Sequence, residues 1–281
     1  MLNSVVSQRR FRQLFFLLIV LPCGHALAGT RLEGHLTQGG VLFGHTEPGS
    51  TLRLDGQPVK VSPDGRFVIG FGRDAKPRHR LAIRYPDGRG EQRELRVERR
   101  KYRIQRIDGL PPRKVTPRSK KDLAHIRRDI AKVKKARARV DERLDFTHGF
   151  NWPVIGPITG VYGSQRILNG KPKRPHYGVD VARPVGTPVH APAAGIVTLA
   201  EPDMFYSGGT VIVDHGYGLS SSFLHMRKVL VKVGQRVEQG DVIGELGATG
   251  RATGPHLDWR MNWLKQRVDP ALLAGPMPKE H

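Results

Sequence analysis

Two short stretches in the C-terminal part decide how this chain is read: His176-Tyr177-Gly178-Val179-Asp180 and Gly254-Pro255-His256-Leu257-Asp258-Trp259. In the second, alternate residues of an extended strand point to one face. His256 and Asp258 can therefore approach a common target while Leu257 turns inward. In the first, an imidazole and a carboxylate stand four positions apart, and both side chains are good Zn2+ ligands at ~2.0–2.2 Å. Three protein ligands and a water form the open arrangement of a hydrolytic zinc site. Another histidine, His225, closes the run Ser221-Ser222-Phe223-Leu224. Imidazoles outside a ligand set can manage protons or stabilise a developing oxyanion. Glycine-rich turns frame these residues: Asp214-His215-Gly216-Tyr217-Gly218, Val233-Gly234 and Gly247-Ala248-Thr249-Gly250. H-x-x-x-D alone is a weak signal; joined to H-x-D, a third histidine and this glycine frame it becomes specific.

From about Gly160 to Trp263 the sequence resembles the lysostaphin-type, or LytM-type, zinc metallopeptidases, which cut peptide cross-links of bacterial peptidoglycan. The resemblance rests on Val161-Tyr162-Gly163, His176 to Asp180, Gly186-Thr187-Pro188-Val189, Ala191-Pro192-Ala193-Ala194-Gly195, Val211 to Gly216, Val231 to Gly234, Gly240 to Gly244 and Thr249 to His256. It implies a twisted, mainly antiparallel β-sheet domain with one Zn2+ per chain in a groove. Carried over by position, it makes His176 and Asp180 metal ligands, and it makes His225 and His256 the catalytic histidines. The family pattern has a histidine as third ligand where this chain has Asp258. A His-Asp-Asp set can hold the ion, but two carboxylates neutralise its charge, so weaker polarisation of its water is expected.

Working outward, the 281 residues carry 47 Lys+Arg against 25 Asp+Glu, a net charge of +22, and a single cysteine. A hydrophobic share of 38% with 33 Gly and 21 Pro supports packed cores in a turn-rich, mainly β chain. It excludes wholly disordered, polytopic-membrane and disulfide-dense classes. Residues 29–110 read as short strands between Asp55-Gly56, Ser62-Pro63-Asp64-Gly65 and Tyr85-Pro86-Asp87-Gly88, the pattern of a small β-sandwich. Two of its histidines, His35 and His45, read as surface residues. Residues 111–149 read as a basic helical linker. Pro111, Pro112 and Pro117 precede Leu123, Ile126, Ile130, Val133, Val140 and Leu144 at helical spacing, interrupted at Arg137. Residues 150–275 form the peptidase-like domain and 276–281 a tail. His148 reads as a loop residue, and His190 and His215 as structural. Trp259, Trp263 and Tyr206 read as core or groove wall.

The N-terminus has the order of a secretory signal over residues 1–28: Arg9, Arg10 and Arg12, an apolar run Leu14–Leu21, then Ala26-Leu27-Ala28. Cleavage would remove Cys23 and leave a mature charge of +19. The expected location is across the inner membrane, in the periplasm or envelope. There the expected partners are peptidoglycan peptides and, through the basic helix, anionic envelope surfaces. No nucleic-acid-binding pattern is present, and no nucleic-acid partner is expected. Two other readings exist. A catalytically weak or inactive relative that activates cell-wall amidases is kept open by Asp258. A lipoyl-type carrier, suggested by Val233-Gly234 with Gly240-Asp241, lacks an attachment lysine with its flanking signature.

Overall fold

The computed structural model describes residues 29–107, 119–168 and 170–279. The secretory signal and the linker prolines lie outside the described residues. Strands dominate. In the first part, Arg31–Gly34, Val41–His45 and Arg66–Gly70 form one antiparallel sheet. Gln57–Val59, Thr51–Leu54, Arg78–Arg84 and Gly90–Arg96 form another. Turns with left-handed residues at Asp55, Gly56, Gly65 and Gly88 join them, at the Asp-Gly positions where such backbone angles are cheapest. Leu52, Leu54, Phe67, Ile69, Leu81 and Ile83 alternate inward and are buried. His35 and His45 are exposed.

The larger sheet has ten strands. Its main path runs Arg236–Val237, Gly195–Met204, Gly208–Asp214, Leu219–Val229, Leu257–Trp263, Gly178–Val181, Ile158–Gly160. Leu257, Trp259 and Met261 are wholly buried on one face, with the Trp259 ring edge-on to Trp152 at 5.6 Å. Asp258, Arg260 and Asn262 alternate onto the opposite face. Both parts of the chain contribute to one continuous apolar core. Their seam is tight: a Cβ on Gly70 would meet Trp263 Cβ at 2.8 Å. Across it Arg100 binds Asp269 at 2.7 Å.

The helix Lys120–Ala136 starts at Ser119, whose hydroxyl accepts from the Asp122 amide, and stops at Arg137. Val140 and Leu144 therefore lie beyond it, and the helix covers only part of the expected stripe. Leu123 and Ile130 are 40% and 61% exposed. Ala136, with Val133 beside it, packs instead on Leu199, Met204 and Ile212 of the large sheet. Asp129 accepts the Phe205 amide at 2.8 Å. The 3/4 spacing continues past Arg137, where the helix ends. The Arg137 guanidinium reaches Ser222 Oγ at 2.7 Å.

Ile104–Ile107 joins neither sheet of the first part. It runs parallel to Gln165–Leu168, which pairs with Lys171–Pro172 just before His176.

Candidate metal centre

Strand pairing brings the two stretches together. In the antiparallel register of Gly178–Val181 with Leu257–Trp263, Asp180 lies directly opposite Asp258. Two carboxylates facing each other across strands repel unless a cation stands between or beside them. His176 is pinned by its backbone: its amide donates to Ser164 O and its carbonyl accepts from Gly163 N, both at 2.8 Å. One donor atom each from His176, Asp180 and Asp258 lies within 4.8 Å of the others. Ligands at ~2.1 Å around one tetrahedral ion would be about 3.4 Å apart, so the set closes with an adjustment of about an ångström.

The donor atoms behave as ligands waiting for a partner. His176 Nε2 and Asp180 Oδ1 are buried and 3.2 Å apart, yet neither has a hydrogen-bond partner. Buried polar atoms are rarely left so. Space for them is built in by absent side chains. A Cβ on Gly160 would strike Asp180 Oδ2 at 2.2 Å, and one on Gly178 would meet Asp258 Oδ1 at 2.5 Å. The residues present fit a divalent metal ion.

Asp258 has a second partner that sequence reasoning missed. Arg260, two residues on and hence on the same face, grips both carboxylate oxygens. Nε lies 2.9 Å from Oδ1 and Nη2 lies 2.5 Å from Oδ2. Burial works to raise the Asp258 pKa, but the Arg260 charge and its hydrogen bonds outweigh it and hold the carboxyl below its ordinary range. Each oxygen retains a lone pair for a metal. Two carboxylates and one guanidinium sum to one negative charge, the same as two imidazoles and one carboxylate. The expected loss of polarisation is thus offset by Arg260.

His225 and His256 flank this cluster, their rings 4.8 Å apart. Each has its Nδ1 on a backbone carbonyl at 2.8 Å, His225 on Thr249 and His256 on Gly254. Those carbonyls accept, so Nδ1 carries the proton and Nε2 offers a lone pair. His256 Nε2 is 3.9 Å from Asp180 Oδ1. Leu224 pairs with Asp258, so in regular strand His225 would point to the opposite face. Its φ of 67° breaks that alternation. This conformation costs about 1–3 kcal/mol for a side chain other than glycine. It is held by the His225 amide on Ser207 O at 2.8 Å together with the Thr249 bond. Burial lowers the His225 pKa, against the opposing effect of the Thr249 carbonyl.

Three other histidines, His148, His190 and His215, lie apart from the donor trio. His215 is fully buried, with Nδ1 on Ala194 O and Nε2 on Ser221 Oγ. His190 Nδ1 is on Gly240 O, and His148 is the exposed last residue of a single turn. Trp259 is core; Tyr206 lies under the Arg251 guanidinium at 4.5 Å.

An antiparallel sheet whose open face gathers an imidazole, two carboxylates and two further imidazoles defines the class of β-sheet metallopeptidases. Comparison with known proteins gives the family. The sequence profile of Peptidase family M23 matches residues 174–270. A Pseudomonas aeruginosa crystal structure described as a peptidase M23 shares 34% identity over 85% of this chain and 95% of its own, with a TM-score of 0.66. This chain belongs to peptidase family M23. Peptidoglycan DD-endopeptidase ShyA of Vibrio cholerae is 33% identical over 148 residues, 50% of this chain and 31% of that protein. DD-carboxypeptidase/endopeptidase Mpg of Neisseria meningitidis is 39% identical over 106 residues, 38% and 24% of the two chains. This chain spans less than a third of the length of these two curated relatives.

Proposed function

We propose that this chain is an exported zinc endopeptidase that hydrolyses peptide cross-links of peptidoglycan. The observation that carries the reading is the pair of buried donor atoms without hydrogen bonds, His176 Nε2 and Asp180 Oδ1, facing the Asp258 carboxylate. His176, Asp180 and Asp258 would hold one Zn2+ per chain. When bound, the ion supplies a Lewis acid for the scissile carbonyl and lowers the pKa of a water. His225 and His256, each with its Nδ1 proton fixed on a carbonyl, present Nε2 to the reacting groups. One Nε2 takes the proton of the attacking water. The other, once protonated, stabilises the developing oxyanion or delivers a proton to the leaving amine. ShyA and Mpg are named for this class of bond, and a diaminopimelate-type cross-link is the substrate proposed here.

The N-terminal residues would direct export to the periplasm. The exposed Lys121, Arg127, Arg128, Lys134 and Lys135 of the helix would then face anionic envelope surfaces. Zinc content and release of peptides from purified peptidoglycan, before and after chelation and zinc return, test the whole reading. Activity indifferent to chelation overturns it. The second reading, an amidase activator, is favoured by one feature, the carboxylate at position 258. It requires stimulation of an added amidase by protein that holds no zinc and cuts nothing itself.

A further inference from the structure

The face that carries the metal centre continues into a second cluster. Ser222 and Asp258 are on the same face as Arg260, since Ser222 pairs directly with Arg260 across the strands. Arg137, at the end of the helix, donates to Ser222 Oγ at 2.7 Å. Asn262, two residues beyond Arg260, pairs with Arg267 across the next strand, and Arg267 Nη1 donates to Asn262 Oδ1 at 2.8 Å. Hydroxyl and amide tethers thus hold three guanidiniums on the sheet face that carries Asp258. Among the described residues, Asp258 is the one carboxylate in hydrogen-bond contact with any of them, and it serves Arg260.

This gathering is costly. Buried charge without a counter-ion is strongly disfavoured. Arg137 Nε is buried and has no hydrogen-bond partner. Burial, together with the neighbouring guanidiniums, pushes the Arg267 pKa down to about 10 and lowers that of Arg137 well below its ordinary value. All three side chains nevertheless keep contact with solvent, Arg260 at 27% exposure. They are partly exposed and not sealed in a core. Each guanidinium keeps free N–H groups in the planar fork that matches a carboxylate.

We propose that Arg137, Arg260 and Arg267 form a carboxylate-binding subsite that selects peptides bearing a free carboxylate within one or two residues of the scissile bond. The inference rests on the metallopeptidase reading for the position of that bond. The spacing follows from the strand. Arg260 is two residues from the Asp258 ligand, roughly 6–7 Å along an extended chain, and a bound extended peptide advances by the same amount over two residues. The carboxylate can come from a side branch next to the scissile bond or from the C-terminus of the peptide.

Two pairs of synthetic D-alanyl–diaminopimelyl cross-linked peptides separate these sources. One pair differs by amidation of the diaminopimelyl carboxyl next to the scissile bond, the other by amidation of the terminal D-alanine. For the wild type, the acid form of one pair should show KM lower by about tenfold or more, the effect of one or two charge-assisted hydrogen bonds, with kcat little changed. The pair that responds identifies the source. Arg137→Gln and Arg267→Gln should each bring the acid-to-amide KM ratio towards one. The conservative Arg267→Lys should keep part of it. Calorimetric binding of the same peptides to chelated wild-type protein gives a readout that needs neither metal nor a folded variant, and the acid form should again bind about tenfold tighter. Equal KM and equal Kd for acid and amide in both pairs overturn the subsite. If chelated protein prefers the acid form but the zinc-loaded protein cuts neither, the subsite stands and the peptidase reading falls.

Discussion

Replacing Arg260 by leucine should destabilise the metal-free protein through Asp258. The change leaves a wholly buried carboxylate, 3% exposed, without the guanidinium that now binds both its oxygens. Breaking one partner out of a buried ion pair costs about 3–5 kcal/mol, most of it the penalty of the charge left behind. Because the Arg260 side chain keeps 27% exposure, the lower end applies, about 3 kcal/mol. For a chain of this size each kcal/mol moves Tm by about 2–4 °C, which gives a fall of roughly 6–12 °C. Calorimetry in excess chelator measures it. Two further results fix the cause. Asp258→Asn in the Arg260→Leu background should recover most of the loss, since a neutral amide is far cheaper to bury than a carboxylate. Zinc should also raise Tm more in Arg260→Leu than in wild type, because the ion takes over as the only counter-charge of Asp258. If Arg260→Leu unfolds within a degree or two of wild type in chelator, or if Asp258→Asn adds to its loss, the pair is not what steadies the site.

Other perturbations separate the roles further. His225→Ala and His256→Ala should each lower kcat by about 10²–10⁴ while zinc content stays at the wild-type level, measured by metal analysis beside peptide release. His176→Ala and Asp180→Asn should instead lose the metal together with activity. Gly160→Ala should weaken zinc binding by about 10–100-fold, because its methyl would sit 2.2 Å from Asp180 Oδ2. Gly254→Ala, whose methyl meets nothing within 4 Å, is the control. Buried His215 has its pKa lowered by burial to about 4 from 6.5, so its contribution is complete above pH 6.5 and is lost as pH falls towards 4. The stability gap between wild type and His215→Gln, read by urea unfolding, should therefore narrow by about 3 kcal/mol from pH 7 to pH 4. A constant gap would mean that the imidazole is not kept neutral by its place between Ala194 O and Ser221.

The sequence carried the centre unevenly, for reasons rooted in strand geometry. His256 and Asp258 were legible because a period of two puts them on one face without knowledge of any partner strand. By the same rule Arg260 had to share that face, but a lone arginine in a strand has no signature. What gives it meaning is register: Asp180 opposite Asp258, and Gly178 opposite Arg260 with no side chain in the way. Register depends on pairings across the whole sheet, so it was out of reach. His225 shows the reverse case. The Leu224-His225 pair reads as ordinary strand, and alternation alone would aim His225 away from Asp258. A single left-handed residue, secured from Ser207 and Thr249, returns it to the working face. The end of the helix has the same root. In sequence Arg137 interrupts an apolar stripe, whereas in the fold two stripe residues, Leu123 and Ile130, are exposed and Arg137 binds Ser222 of the large sheet. His225 and Arg137 are each fixed by partners that local spacing does not reveal. A second carboxylate at position 258 then ceases to be a defect of the donor set. It is one half of a buried pair, and Arg260, its other half, links the metal ligands to the arginines beyond them.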